Sequence, residues 1–400
     1  MHELRVADLP AGFRYAARAA GIKKSGKPDL AMIVADRPAT CAGTFTTNRV
    51  VAAPVVLTRD HLRGGRCQAI LVNSGNANAC TGQQGLTDAR RCAALAAAAL
   101  GIDEELVAVC STGVIGVPLP MARFEAGVPE LAGALAADQA SAVAEAIRTT
   151  DAFPKVSVRQ IQTQGGAVRI LGLAKGAGMI HPDMATMLAF VMTDAVLDAV
   201  AADRLLRAAV TRSFNRITVD RDTSTNDTVL LLASGAAGVP AFSPGSPVEA
   251  AFAAALEEVL LELAKLIVRD GEGATKLVRV QVDGAVSEAD ALAVARSIAT
   301  SALVKTAFFG ADANWGRIIA AAGYAGVEID PGRVSIRFDD VPMVECGLGL
   351  GPAQEVLATA VLKQSEFTVT VDLGLGAAGA WYYTSDLNYE YVRINADYRS

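Results

Sequence analysis

Four hundred residues, 52% of them hydrophobic and only 20% charged, exclude a disordered chain and give enough apolar surface for two or three domains, or for one large layered domain with an appendage. A formal net charge of −6 excludes nucleic acid and anionic membrane as main partners, since either calls for clustered lysine and arginine, and leaves small molecules. Charges at Glu3, Arg5 and Asp8 leave no apolar core of signal-peptide length, and the longest apolar stretch, around Ala93 to Ile102, is too short to span a bilayer, so a cytoplasmic protein is expected.

In chain order, GFRYAARAA (12–20) has helical character and runs into GIKKSGKP (21–28), which has the spine of a phosphate-binding loop. Pro28 stands where that loop needs a Ser or Thr hydroxyl for magnesium, so a solvated basic loop is expected. NSGNANACTG (73–82) packs small polar residues that bond either their own backbone or a ligand. DARRCAALAAAALG (88–101) predicts a helix stopped by Gly101. After the strand-like ELVAVC, STG (111–113) sets a hydroxyl beside a glycine N–H, which suits either a plain turn or a pair of donors to a developing oxyanion. KVSVRQI (155–161) and AVRILGLAKG (167–176), joined by QTQGG, predict a hairpin.

The hairpin delivers the chain to KGAGMIHPDMA and then, from Thr186, to the buried-strand pattern TMLAFVMTD, followed by a helix over 201–214. Thr186 has two readings from the residues alone: an ordinary β-branched strand residue, or a nucleophile at a strand edge behind the flexible KGAG of Lys175 to Gly178. DTSTNDT (222–228) and DGEGATK (270–276) crowd hydroxyls, carboxylates and glycines. Beyond them composition shifts: LVRVQVDG, a helix over about 287–302, VSIRFDD, a helix over about 352–364, and FTVTVDL predict a smaller C-terminal α/β domain, residues 276–400, behind a main domain of residues 1–275. GLGAAG (374–379) matches a dinucleotide fingerprint, but the chain ends too soon for the helix, strand and acidic residue it requires, so a glycine-rich hairpin turn is expected there.

Cysteines at 41, 67, 80, 92, 110 and 346 form no CxxC pair and read as buried thiols. Histidines occur only at 2, 61 and 181, too few for a histidine metal site or a Ser-His-Asp triad, so no metal is expected.

KGAGMIHPDMATMLAF, GIKKSGKPDLA, GTFTTNRVVAAPV, NSGNANACTG, STGVIG, TTDAFPK, TSTNDT, DGEGATK, NWGR and the terminal NADYRS together resemble the ornithine acetyltransferases of arginine biosynthesis, also called glutamate N-acetyltransferases. The resemblance spans essentially the whole chain, in order. It implies a layered αββα sandwich similar to the N-terminal-nucleophile hydrolases. It also implies a precursor that cuts itself between Ala185 and Thr186, two products that pair again as an α2β2 heterotetramer, and Thr186 as nucleophile. A threonine hydroxyl is a weak nucleophile, but the freed α-amine of the same residue could take its proton, which answers the shortage of histidines.

Carried over by position, the resemblance implies that Thr112 and Gly113 are the oxyanion pair, and that Thr149, Lys175, Thr186, Glu272, Asn395 and Ser400 contact substrate. By charge, Lys175 suits an α-carboxylate and Glu272 an ammonium. Arg221 stands where the family's pattern leads one to expect glycine, and Ser400 where threonine is common. The implied reaction moves acetyl from N2-acetyl-L-ornithine to L-glutamate without cofactor, and leaves acetyl-CoA open as a second donor. Two alternatives stand beside it: a self-processing aminopeptidase or amidase of similar fold that passes the acyl group to water, and a nucleotide-binding protein using residues 21–28 or 374–379.

Overall fold

The computed structural model describes residues 4–181 and 187–397, so Ala185, Thr186 and Ser400 lie outside the described residues. β1 (Phe13–Arg18) pairs with the long β2 (Leu30–Phe45). Helix α1 (Ala53–His61) leads to β3 (Arg66–Asn76), and α2 (Gly82–Leu100) crosses to β4 (Val107–Val114), parallel to β3. Then come α3 (Met121–Gly133), α4 (Ala140–Ala146), the hairpin β5 (Lys155–Thr163) and β6 (Gly166–Lys175), β7 (Leu188–Thr193), α5 (Ala199–Thr211), the short β8 (Ile217–Thr218), β9 (Thr228–Ala233) and α6 (Pro247–Arg269).

Among the described residues the first sheet runs β4-β3-β2-β9-β7-β6-β5, with β1 also on β2. It folds back on itself because β2 changes partners. Its first half pairs with β3; the register then shifts between Val34 and Ala39, and residues 40–45 pair with β9. The two halves meet through their inner faces, where Ile33, Ile70 and Val72 pack with Leu171, Phe190 and Leu232, and α4 joins the same cluster. The outer face of one half is covered by α2 and α3, and that of the other by α5 and α6. This is the layered αββα arrangement, built from one bent sheet.

The helices follow from their residues. Gly101 ends α2 in a left-handed conformation, φ 67°, that glycine adopts without strain. Ser246 caps α6 by accepting from the Glu249 N–H, and Pro247 fills the first turn, where no N–H is needed. Phe252, Leu256, Val259, Leu260, Leu263 and Ile267 then form a buried stripe at three- and four-residue spacing. Gly172 admits that stripe to β6, since a Cβ there would stand 2.6 Å from both Leu263 and Val259.

The second sheet comprises β10 (Leu277–Ala285), then, after α7 (Glu288–Thr300), α8 (Ala302–Phe309) and α9 (Trp315–Gly323), β11 (Ser335–Phe338), β12 (Val341–Glu345) and β13 (Leu348–Gly349). Helix α10 (Pro352–Leu362), β14 (Glu366–Asp372), β15 (Ala378–Ser385) and α11 (Tyr389–Asp397) complete the chain. Its order is β13-β12-β11-β14-β10-β15-β8, so β8 joins it from the earlier part of the sequence. One face packs on α7 to α10; Leu277 and Tyr383 on the other reach the α5/α6 cluster.

Three expectations are corrected. GFRYAARAA forms strand β1, not a helix: burial of Phe13 and Tyr15 in the inner cluster overrides the helical preference of its alanines. GLGAAG is no hairpin turn, because β14 and β15 lie on opposite sides of β10, and the glycines carry the chain across its end. Cys80 and Cys346 are exposed, both in left-handed turns, while Cys41, Cys67, Cys92 and Cys110 are buried.

Candidate active site

Thr112 and Gly113 at the end of β4, Thr149 before β5, Lys175 at the end of β6, Glu272 after α6 and Asn395 on α11 converge on one cavity of about 320 Å³. These are all the sequence-derived site residues that lie within the described part; Ala185, Thr186 and Ser400 do not. Gly113 could be nothing else, since its φ is 133° and a Cβ would fall 2.4 Å from the backbone of Gly75 on the neighbouring strand. The Lys175 ammonium donates to Thr112 Oγ1 at 3.2 Å. That hydroxyl therefore accepts from Lys175 and keeps its own proton to donate. Asn395 Nδ2 donates to Glu272 Oε2 at 2.8 Å, which orients the carboxylate.

Lys175 is wholly buried, and burial pushes its amine below the ordinary lysine value while Asp151 holds it up. Asp151 is the hub of this side of the site. It accepts from the Gly176 N–H at 2.7 Å, from the Thr149 N–H at 3.0 Å and from Lys155 Nζ at 2.7 Å. Burial raises its carboxyl, but Lys175 and Lys155 outweigh that and leave it well below the carboxylate range. Lys155 also donates to Asp270 at 2.5 Å, so one buried lysine bridges two carboxylates. Removing it would leave Asp270 without its cation and Asp151 with Lys175 alone, and breaking such a buried pair costs about 3–5 kcal/mol.

The segment leading to Thr186 is anchored on both sides. Asp220 accepts from the Met179 N–H at 2.7 Å and the Ile180 N–H at 2.9 Å, and Ile180 O accepts from the Val219 N–H at 2.8 Å. Glu272 N–H bonds Ala177 O at 3.1 Å, and a Cβ on Gly178 would sit 2.6 Å from the Glu272 carboxyl. Of the KGAG stretch, Lys175 to Ala177 are buried, and Gly178 packs against the Glu272 carboxyl. On the other side of the scissile bond, Met187 donates to Asp227 Oδ1 at 2.9 Å, and Leu188 pairs in register with Lys175 on one side and Thr228 on the other. In sequence, Thr186 stands two residues before β7, whose first residue, Leu188, lies beside Lys175.

The asparagine-rich loop bonds itself: Asn73 to Asn76 O at 2.9 Å, Asn78 to Gly85 O at 2.9 Å. It braces β4, with Ser111 Oγ donating to Asn73 Oδ1 at 2.7 Å, and Asn226 of the 222–228 segment adds a bond from Nδ2 to Ser111 O at 2.9 Å. GIKKSGKP joins strand to strand, with no helix to receive a phosphate, and Lys23 Nζ is spent on Pro28 O and Ala146 O. Asp151, Asp220, Asp227 and Tyr391 were missed from sequence. Three of them sit in or beside motifs already singled out, yet only their burial separates them from ordinary loop aspartates.

Residues 14–400 match the ArgJ family. The chain is 60% identical over 389 residues to the arginine biosynthesis bifunctional protein ArgJ of Syntrophotalea carbinolica, covering 97% of this chain and 99% of that one. It is 56% identical to the protein of the same name from Geobacter sulfurreducens, with the same coverage. Among solved structures it resembles the arginine biosynthesis bifunctional protein ArgJ of Bacillus halodurans, at 45% identity and a TM-score of 0.51, over 52% of this chain and 98% of that chain.

Proposed function

The chain belongs to the ArgJ family and is an acetyltransferase of arginine biosynthesis, and from that premise we propose that it carries acetyl from N2-acetyl-L-ornithine to L-glutamate as an ester on Thr186. The observation that carries this reading is the convergence of six residues from five separate segments on one cavity beside the strand that Thr186 precedes.

The Thr186 hydroxyl first attacks the carbonyl of Ala185; the acyl group shifts from nitrogen to oxygen, which frees the Thr186 α-amine, and water then cleaves the ester to restore the hydroxyl and leave Ala185 with a carboxylate. In turnover that amine takes the hydroxyl proton, the Thr186 oxygen adds to the acetyl carbonyl of the donor, and ornithine leaves with the proton. The oxyanion is met by the Thr112 hydroxyl and the Gly113 N–H. Lys175 faces the substrate carboxylate and Glu272 its ammonium, with Thr149, Asn395 and Ser400 completing the contacts. The amine of glutamate then takes the acetyl group. The α-amine must be neutral to act as base, so turnover falls below its pKa, about 7.7–8.0 when unperturbed.

This chemistry uses no metal and no resident cofactor. Acetyl-CoA acts as a second donor, in keeping with the bifunctional relatives. The proposed products, 1–185 and 186–400, stay together because their strands interleave. In the first sheet β2 and β6 of one fragment flank β9 and β7 of the other. A solved relative matched over 98% of its own chain but 52% of this one has the length expected of one such product. We assign the assembly as an α2β2 heterotetramer in the cytoplasm; no single described helix is long and apolar enough to cross a membrane.

The test is to supply N2-acetyl-ornithine and glutamate together. Stoichiometric N-acetyl-glutamate and ornithine support acetyl transfer; free acetate in place of acetyl-glutamate would make the protein an amidase, the reading its relatives do not favour.

A further inference from the structure

A second, larger cavity of about 550 Å³ adjoins the first and shares Asp220 and Tyr391 with it. Its charge is opposite to that of the chain as a whole. Arg221, Arg296, Lys305 and His181 line it, and Asp220 is its one carboxylate among the described residues. Asp220 is already occupied by two backbone N–H groups and by the Tyr391 hydroxyl at 3.4 Å. Lys305 is buried, bonds Thr384 Oγ1 at 2.8 Å and Ser385, and is pushed down to about 7 by burial, so the positive charge of the cavity rests on Arg221 and Arg296. The side chains of Arg221 and Arg296 make no hydrogen bond or ion pair among the described residues. The N-terminus of the eight-residue α8 opens onto the same wall through Thr300, Ser301 and Ala302.

Arg221 has a further peculiarity. Its φ is 72°, in the left-handed region that glycine occupies freely and a long side chain occupies at a cost. The expectation of glycine at this position thus has a conformational basis. Here the strained position carries a guanidinium that lines the cavity, and a strained residue with an unspent charge marks a place to look for a ligand.

Resting on the reading that acetyl-CoA is a second donor, we propose that this cavity binds the phosphate-bearing end of the coenzyme A thioester, with Arg221 and Arg296 as its phosphate contacts. Two forked guanidiniums and a helix N-terminus suit phosphate oxygens. The volume exceeds what an isolated phosphate fills, and the wall shared at Asp220 and Tyr391 sets the flexible thioester arm toward Thr112 and Lys175. There the Thr186 oxygen bonds the acetyl carbon, the carbon–sulfur bond breaks, and the hydroxyl proton passes through the α-amine to the departing thiolate.

The test uses the full processed protein, with coenzyme A as the calorimetric probe and acetyl-CoA and N2-acetyl-ornithine as alternative donors. Arg221→Gly is suited to it because glycine fits the backbone at φ 72°, and Arg296→Gln changes an exposed side chain. Each should weaken coenzyme A binding by roughly 10- to 100-fold, the size of a lost charge-assisted contact. The KM for acetyl-CoA should rise in step, while that for N2-acetyl-ornithine stays within about twofold. Coenzyme A binding that depends on both arginines, without acetyl-CoA turnover, would uphold the site and refute the donor role. Unchanged coenzyme A affinity in both variants would overturn the site while leaving the donor role intact. Equal competition by inorganic phosphate, or no coenzyme A binding by the wild type, would also overturn the site.

Discussion

The backbone N–H of Met187 donates to Oδ1 of Asp227 at 2.9 Å, while Oδ2 of the same buried carboxyl has no hydrogen-bond partner among the described residues. Burial raises the Asp227 carboxyl well above its ordinary value, with the Met187 bond pulling the other way. It fixes the residue that follows Thr186. Asp227→Ala would leave the Met187 N–H buried and unpaired, at about 1–3 kcal/mol, and loosen the scissile bond's far side. Asp227→Asn keeps an acceptor of the same shape. Urea unfolding should rank Asn close to wild type and Ala well below, and Ala should also cut itself more slowly on a gel time course. Equal midpoints for the two variants would deny Asp227 its anchoring role.

Thr112 is held by Lys175 so that its proton is free to donate. Removing one such donor costs about 100- to 1000-fold in kcat, so Thr112→Ala should lose that much acetyl transfer and Thr112→Ser should recover most of it. Near-normal kcat in the alanine variant would remove Thr112 from the mechanism.

Asp220 gives a pH signature. Burial outweighs its backbone hydrogen bonds and lifts its pKa to about 6. A folded value above the unfolded one, about 3.9, means that its stabilising contribution is complete below pH 4 and is lost as pH rises through 6. The unfolding free energy of wild type minus that of Asp220→Asn should therefore fall by on the order of 3 kcal/mol between pH 4 and pH 7. A difference that is flat or grows over that window contradicts the assignment.

Local pattern carried much of this molecule. The alanine-rich helix ending at Gly101, the hairpin of β5 and β6 and the buried strand after Thr186 are written in periodicity and punctuation, and all stand in the structure. What pattern could not carry is partnership. Nothing in residues 30–45 says that one strand will pair with β3 and then with β9, and that bend creates the layered fold. Residues 12–20 misled because alanine favours helix in isolation, and only the burial of Phe13 and Tyr15 reverses it. The cavity wall was legible through the resemblance, since Thr112, Lys175 and Glu272 stand in its motifs. Its scaffold was not: Asp151, Asp220 and Asp227 matter because they are buried against backbone N–H groups brought from distant segments.

Everything in the mechanism depends on Thr186 becoming a chain terminus. The most direct measurement is intact mass and N-terminal sequencing of purified wild type beside Thr186→Ala. The account predicts two wild-type fragments, residues 1–185 and a second beginning TMLAF, and a single full-length chain without transferase activity for Thr186→Ala. Wild type that is fully active while uncut, or Thr186→Ala that still transfers acetyl, would contradict it.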